Sequence, residues 1–394
     1  MKLYIIYGTY KCFLSNFAGM KKAYLDNAST TAIRPEVIEE MVAVMSQSFG
    51  NPSSTHSYGR GAKVLLETAR KTIASLIGAE AREIIFTSGG TEADNWVTRS
   101  AVKDLGVKRI ITSKIEHHAV LNTVKILETE FDINVEYVNV AQNGEVDLNQ
   151  LESLLADKIP TLVSLMHVNN ETGVVLDIDK VGKLCKEYGA LFHSDTVQSI
   201  GKTEFDLNNT PIDFIAASAH KFHGPKGVGF AFVRKNTPLH AMIHGGEQEK
   251  GMRAGTEAIH QIVGMAKALE LSYKHLNEER DQIAILKQYL LEKLDSEFPG
   301  YTVNGEGADL FYNLVNVMLP LSDEKTGMIL FHLDMKGIAV SRGSACQSGS
   351  VKPSHVLKEM LSDEDVKKPS LRISLSHYNT KEDIDLLIDA LKTV

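Results

Sequence analysis

Lys221 stands in Ser218-Ala219-His220-Lys221-Phe222-His223-Gly224-Pro225-Lys226-Gly227, where an apolar run delivers a serine, a histidine and an amine into a Gly/Pro turn. Taken alone, that amine is as readily a solvated loop charge as a functional group. Two other segments bear on the choice. Ser88-Gly89-Gly90-Thr91 joins an apolar strand pattern to a helical one. Glycines let a backbone approach a ligand closely, and the first N–H groups of a helix, with its dipole, attract an anion. The same residues could equally be a strand-to-helix turn capped by Thr91. His193-Ser194-Asp195 ends another apolar run in a carboxylate, with Gln198 three residues later; a helix cap is the ordinary alternative for that aspartate. Phosphate cup, carboxylate and lysine all fall at strand ends on one edge of a sheet, where open α/β sheets hold ligands. A cofactor with a phosphate, a pyridine nitrogen and an aldehyde, namely pyridoxal phosphate (PLP), needs this trio. Asp195 would keep the ring nitrogen protonated and Lys221 would hold the aldehyde as a Schiff base.

Three further features could complete such a site. His117-His118 follows a strand pattern and offers a ring to stack on a flat cofactor, or is simply a surface or core histidine pair. Cys346 sits in Ser341-Arg342-Gly343-Ser344-Ala345-Cys346-Gln347-Ser348-Gly349-Ser350, a thiol among small polar neighbours, unlike Cys185 in its helical apolar run. That setting suits a nucleophile, which must act as the thiolate. Arg372, between Leu371 and Ile373, is either turned to solvent by strand alternation or is a guanidinium fork for a carboxylate. A metal site built from His117, His193, Asp195, His220 and His223 is the rival for the whole constellation, but its spacings match no zinc pattern, so no metal is expected.

These groups must be positioned by the elements around them. Helical and extended patterns alternate from about residue 35, the signature of helices on a mostly parallel sheet. Helices are expected at Pro35–Ser48, Thr91–Asp104, Ala119–Thr129, Asp147–Leu155 and Asp177–Tyr188. Strands are expected at Glu83–Thr87, Lys108–Thr112, Val135–Asn139, Thr161–His167, Ala190–His193 and Phe214–Ala217. A long helical stretch, Glu257–Glu297, ends at Pro299-Gly300 and leads into mixed elements: Val315–Leu319, a helix near Lys325–Met335, Ile338–Ser341, Leu371–Leu375 and a closing helix that Thr380 could cap. The expected fold class is therefore α/β, a large doubly wound, mostly parallel sheet domain at 35–277 with a smaller α+β domain formed by 20–34 and 278–394 and carrying the cysteine loop.

At 394 residues and 43% hydrophobic composition the chain is long enough for two cores. A net charge of -8 without a long basic run speaks against nucleic acid or an anionic membrane as a direct partner. Three scattered cysteines, Cys12, Cys185 and Cys346, make neither a disulfide framework nor a zinc knuckle and point to a reducing, cytoplasmic setting. No apolar run approaches the ~20 residues that span a bilayer. Residues 1–19 lack a signal-peptide core, and Met20-Lys21-Lys22 before the strand-like Ala23-Tyr24-Leu25-Asp26 suggests translation beginning at Met20.

Taken together, the chain resembles the cysteine desulfurases of the NifS/IscS type, in the class V aminotransferase group of fold-type I PLP enzymes. The resemblance runs from about Ala23 to the C-terminus. It rests on Tyr24-Leu25-Asp26-Asn27-Ala28, Gly50-Asn51-Pro52-Ser53-Ser54, Thr87-Ser88-Gly89-Gly90-Thr91-Glu92, Glu116-His117, the Asn169-Asn170 segment, His193-Ser194-Asp195-Thr196-Val197-Gln198, Ser218-Ala219-His220-Lys221 and Gly251-Met252-Arg253-Ala254-Gly255-Thr256. The resemblance implies that Gly90, Thr91, Ser218 and His220 hold the phosphate, with Thr256 reaching in from the partner of a homodimer. It implies Asp195 on the pyridine nitrogen, Gln198 on the phenolic oxygen, His117 stacked on the ring and acting as proton relay, and Asn170 and Arg372 on the substrate carboxylate. Lys221 would be the base and Cys346 the persulfide-forming nucleophile in converting L-cysteine to L-alanine. Sulfur would pass to acceptor proteins of the iron–sulfur scaffold or tRNA-thiolation type. Arg342 and Gln347 depart from the residues usual around Gly343-Ser344-Ala345-Cys346 and bear on loop behaviour and partner choice. A selenocysteine lyase shares the site plan, another class V aminotransferase would not need Cys346, and a silent scaffold for sulfur acceptors would lack the yellow cofactor.

Overall fold

The computed structural model describes residues 21–343 and 353–394, so Cys12, Cys346 and the expected 1–19 extension lie outside the described residues. The strands in chain order are β1 (Ala23–Tyr24), β2 (Ile84–Thr87), β3 (Arg109–Ser113), β4 (Asn134–Val138), β5 (Thr161–Ser164), β6 (Leu191–Asp195), β7 (Phe214–Ser218), β8 (Gly229–Val233), β9 (Thr302–Val303), β10 (Leu314–Met318), β11 (Ile338–Ala339) and β12 (Ser370–Ser374). The helices are α1 (Pro35–Gln47), α2 (Ser57–Leu76), α3 (Gly90–Leu105), α4 (His118–Phe131), α5 (Leu148–Leu155), α6 (Ile178–Tyr188), α7 (Ile259–Lys274), α8 (Leu276–Glu297), α9 (Ile329–Met335), α10 (His355–Met360) and α11 (Lys381–Leu391).

Seven strands form one sheet in the order β2-β8-β7-β6-β5-β3-β4. All pairs are parallel except those of β8, which runs antiparallel between β2 and β7. The fold class is thus the expected α/β arrangement with a mostly parallel sheet. The fully buried β8 and the long α2 were not read from the sequence. Strands β2, β3, β5, β7 and β8 are buried along their whole length, as a sheet covered on both faces requires. One face carries a core that includes Phe192, Phe222, Phe230 and Leu269, the other a core that includes Trp96, Val97, Ile110 and Phe214.

Local chemistry sets the helix starts. Asp147 accepts the Asn149 and Gln150 N–H groups, Asp177 that of Lys180, and Thr380 with Asp383 forms a capping box before α11. The stretch read as one helix over 257–297 is two, because the chain leaves helical geometry at His275 (φ -107°, ψ 11°). The reason lies in burial: Ile262, Met265 and Leu269 of α7 pack in the core of the large sheet, whereas Ile283, Leu286, Leu290 and Leu294 of α8 pack in a separate core with Leu25, Val317, Leu371 and Ile384. One straight helix cannot serve both. A three-stranded antiparallel sheet, β12-β10-β9, and the short parallel pair β1-β11 frame this second core.

Candidate active site

The carboxyl edge of the large sheet delivers most of the chemistry. β6 ends on Asp195, β7 ends on Ser218 and passes through a single 3-10 turn, Ala219–Lys221, while β2 leads through Ser88-Gly89 into α3. These segments border a cavity of about 540 Å³, also lined by His117, Asn170, Gln198, His220 and Arg372. That volume suits a small organic ligand. The structure therefore brings together Gly90, Thr91, His117, Asn170, Asp195, Gln198, Ser218, His220, Lys221 and Arg372. Thr256 is exposed and is not among the residues bordering the cavity of its own chain. Cys346 lies outside the described residues.

Lys221 Nζ donates to the carbonyl oxygens of Ala28 (2.6 Å) and Ser29 (2.9 Å), in the segment just after β1. Gln198 Nε2 donates to the same Ala28 oxygen at 2.9 Å. His220 Nδ1 lies 3.1 Å from the Thr30 hydroxyl. His117 caps α4: its Nδ1 accepts the Ala119 N–H at 3.1 Å, which leaves the proton of the neutral ring on Nε2. Burial lowers the His117 pKa, and the Lys221 charge lowers it further against the opposing pull of Asp195.

Arg372 answers the question that alternation left open: it is 1% exposed, in a strand buried along its length. Flanking bridges from Asp26 to Ser374 and from Ser341 to Arg372 cover the edge of β12 that strand pairing alone would leave bare. Its guanidinium donates to the Asn170 carbonyl (2.8 Å), Asp26 Oδ1 (2.9 Å) and Ser29 Oγ (2.5 Å), while its buried Nε has no partner among the described residues. An unsatisfied buried donor on a cation beside a cavity favours an anionic ligand.

Asp195 does not stand alone. Asp94 of α3 and Glu116 before α4 are buried beside it, and neither was singled out by sequence. Burial first, then the Asp195 charge, raises both, Glu116 to about 8 and Asp94 well above the carboxylate range. Burial also raises Asp195, but His117, the Val197 N–H (2.9 Å to Oδ1) and Lys221 oppose it. Carboxyls packed together do not all ionise, and of the three only Asp195 has His117 and Lys221 opposing the upward shift. The signal available in sequence was Asp94 three residues after Thr91, an acid on the helix face that packs against the sheet.

The five residues of the metal alternative do not form a metal-ligating group among the described residues. His193 engages Ser164 through Nδ1 (2.9 Å) and faces Asp94 across 3.4 Å through Nε2, and His223 Nδ1 bonds the Ala32 carbonyl (2.8 Å). Cys185 is buried in α6, where desolvation raises its thiol pKa.

The chain matches the family "Aminotransferase class-V" over residues 23–387. It belongs to that family. It is 44% identical over 370 residues to a putative cysteine desulfurase IscS 1 of Bacillus subtilis, with 93% of this chain and 96% of the relative covered. Among solved structures, a NifS-like protein superposes with a TM-score of 0.86 at 35% identity, covering 95% of this chain and 99% of the other. A structure of SspA in complex with cysteine matches with a TM-score of 0.79 at 34% identity, covering 91% and 100%.

Members of this family depend on PLP, and the residues present fit it. A Cβ on Gly90 would lie 2.5 Å from Val197 Cγ2, and one on Gly229 would lie 2.7 Å from the Gly89 Cα, so only glycine backbone fits at this corner of the cavity. The first N–H groups of α3 have no intrahelical partner and suit a phosphate. Asp195, with His117 and Lys221 opposing the effect of its burial, suits a protonated ring nitrogen. Among the described residues, no helix is long and apolar enough to cross a membrane.

Proposed function

We propose that this chain is a PLP-dependent cysteine desulfurase that turns L-cysteine into L-alanine and takes the sulfur onto Cys346 as a persulfide. The observation that carries the reading is one cavity lined by Lys221, Asp195 and Arg372, whose Nε finds no partner among the described residues, in a chain of the class V family. We assign Gly90, Thr91, Ser218 and His220 to the phosphate, Asp195 to the ring nitrogen and Gln198 to the phenolic oxygen. Bound there, PLP supplies a sink for the electrons released at the substrate α-carbon.

This chain's own residues do the rest. Arg372 and Asn170 hold the substrate carboxylate, so that the α-hydrogen faces Lys221. The Lys221 Nζ, which lines the same cavity, would act as the base that takes the α-proton of the substrate and gives a proton back. Neutral His117, with its proton on Nε2, donates and recovers a proton beside the ring. Cys346 as thiolate attacks the substrate sulfur, so an S–S bond forms as the C–S bond breaks, and the carbon is protonated to alanine. The described residues flanking Cys346 support its assignment: Ser354 Oγ donates to Glu171, and a Cβ on Gly343 would lie 3.1 Å from the same carboxylate, next in sequence to Asn170.

A homodimer, with Thr256 completing the partner's phosphate site, is part of the proposal. The exposed Ile38, Val42 and Met45 form an apolar stripe on α1, the exposed Phe49 and Tyr58 pair with ring centroids 5.0 Å apart, and a second copy would cover these groups. Sulfur acceptors in the cytoplasm, of the iron–sulfur scaffold or tRNA-thiolation type, would take the persulfide.

The test is to incubate the PLP-loaded protein and its Cys346→Ala variant with L-cysteine and a thiol reductant, measuring alanine and sulfide. Equimolar products from the native chain, and a variant that keeps its visible band but releases no sulfide, are expected. Undiminished sulfide release by the variant would remove Cys346 from the reaction.

A further inference from the structure

Lys202 is a buried cation that the proposed chemistry does not use. It lies in the turn after β6 and is 8% exposed. Ile200 N–H bonds the Thr196 carbonyl and Lys202 N–H that of Ser199, both at 2.9 Å, and Gly201 takes φ +76° to reverse the chain. This tight turn brings residue 202 back beside residue 198.

The surroundings offer the ammonium little compensation. Burial, and then the charges of Lys221 and Arg372, lower its pKa to about 7. The small cavity it borders is also lined by His223, Glu279, Tyr312 and His377. Glu279 is already taken by Arg34 (2.7 Å) and His377 (3.3 Å). Burying an amine beside two further cations costs stability. Among the described residues, the one side chain Lys202 engages is Gln198, whose Oε1 accepts from Nζ at 3.3 Å.

That contact has a direction. While protonated, below its pKa of about 7, Lys202 carries donors only and so requires the oxygen end of the carboxamide. The NH2 end then faces Ala28, whose carbonyl takes one hydrogen at 2.9 Å, and the second hydrogen remains for the cavity that Gln198 lines. A flipped carboxamide would set NH2 against the lysine and a carbonyl against the Ala28 carbonyl.

We infer that Lys202 is a positioning residue, which holds the Gln198 carboxamide with its NH2 group toward the cavity as the donor to the cofactor's phenolic oxygen. The inference rests on the reading of Gln198 given above. A donor on the phenolic oxygen stabilises its anion and weakens the hold on the proton shared with the Lys221-linked nitrogen. The pH midpoint of the visible band therefore reports the orientation of Gln198.

The experiment compares the PLP-loaded native protein with Lys202→Met, Gln198→Ala and the double variant, titrating the visible band with pH and measuring PLP dissociation. Met fills much of the volume of the lysine stem without its desolvation cost, so the thermal midpoint should not fall; Lys202→Gln, which no longer dictates one amide orientation, is the second variant. The loss of one hydrogen bond, about a fivefold effect, should raise the band midpoint and weaken PLP binding by that factor. In the Gln198→Ala background Lys202→Met should add nothing. An unchanged midpoint in both lysine variants, or shifts that simply add in the double variant, would overturn the proposal, the latter showing that Lys202 acts through charge alone. Failure of the underlying Gln198 assignment looks different: Gln198→Ala alone would then leave the midpoint of the native band unchanged.

Discussion

On the sheet side of the cavity each functional group is the last residue of a strand or lies in the turn just beyond it, as with Asp195, Ser218 and Lys221, whereas Arg372 reaches the cavity from the middle of β12. Groups at strand ends can be exchanged without unmaking a ladder. Arg372 is different, because its guanidinium is also the hydrogen-bond partner of Asp26, Ser29 and the Asn170 carbonyl. The first wall separates chemistry from stability, and the second joins them.

Lys221→Ala should break the first wall with the largest effect. The visible band is lost and turnover falls by at least about a thousandfold, while thermal stability stays close to native, since Ala28 keeps its bond from Gln198. A large fall in unfolding temperature would show that the strand-end amine is structural after all.

Arg372→Lys probes the second wall. A point charge cannot replace a fork, so KM for L-cysteine should rise about a hundredfold, and the unfolding temperature should fall as well. Lower stability with an unchanged KM would make Arg372 a purely structural cation and leave the substrate carboxylate without its proposed partner.

The smallest effect concerns the acids behind the first wall. The Glu116 carboxyl has its pKa raised from 4.5 to about 8 in the folded state. The folded chain therefore binds more protons than the unfolded chain between those values, so this group's stability contribution is complete below pH 4.5 and is lost as pH rises through 8. Glu116→Gln keeps an oxygen for the Ser113 hydroxyl and the Met166 N–H. By urea unfolding it should match the native protein near pH 4.5 and become the more stable of the two as pH rises through 8. An equal difference at both pH values would mean that Glu116 does not titrate in that window.

The sequence by itself determined the alternation of helices and strands and the strand-end groups, because hydrophobic periodicity, caps and Gly-rich turns are written within a few neighbouring residues. Lys221, Asp195, Ser218 and the Gly90-Thr91 turn were legible for that reason. The burial of Arg372 was not: Ser370, Arg372 and Ser374 alternate with Leu371 and Ile373, a phase that by itself would turn the polar residues to solvent, yet β12 is buried along its whole length. Nor was the break at His275, because an unbroken helical pattern does not say that its two halves enter different cores. Asp94, Glu116 and Lys202 belong to the same class. Each is an ordinary charged residue in its own segment, and only the packing of helix, turn and sheet decides that it is buried, which neighbours it meets, and so what its charge does.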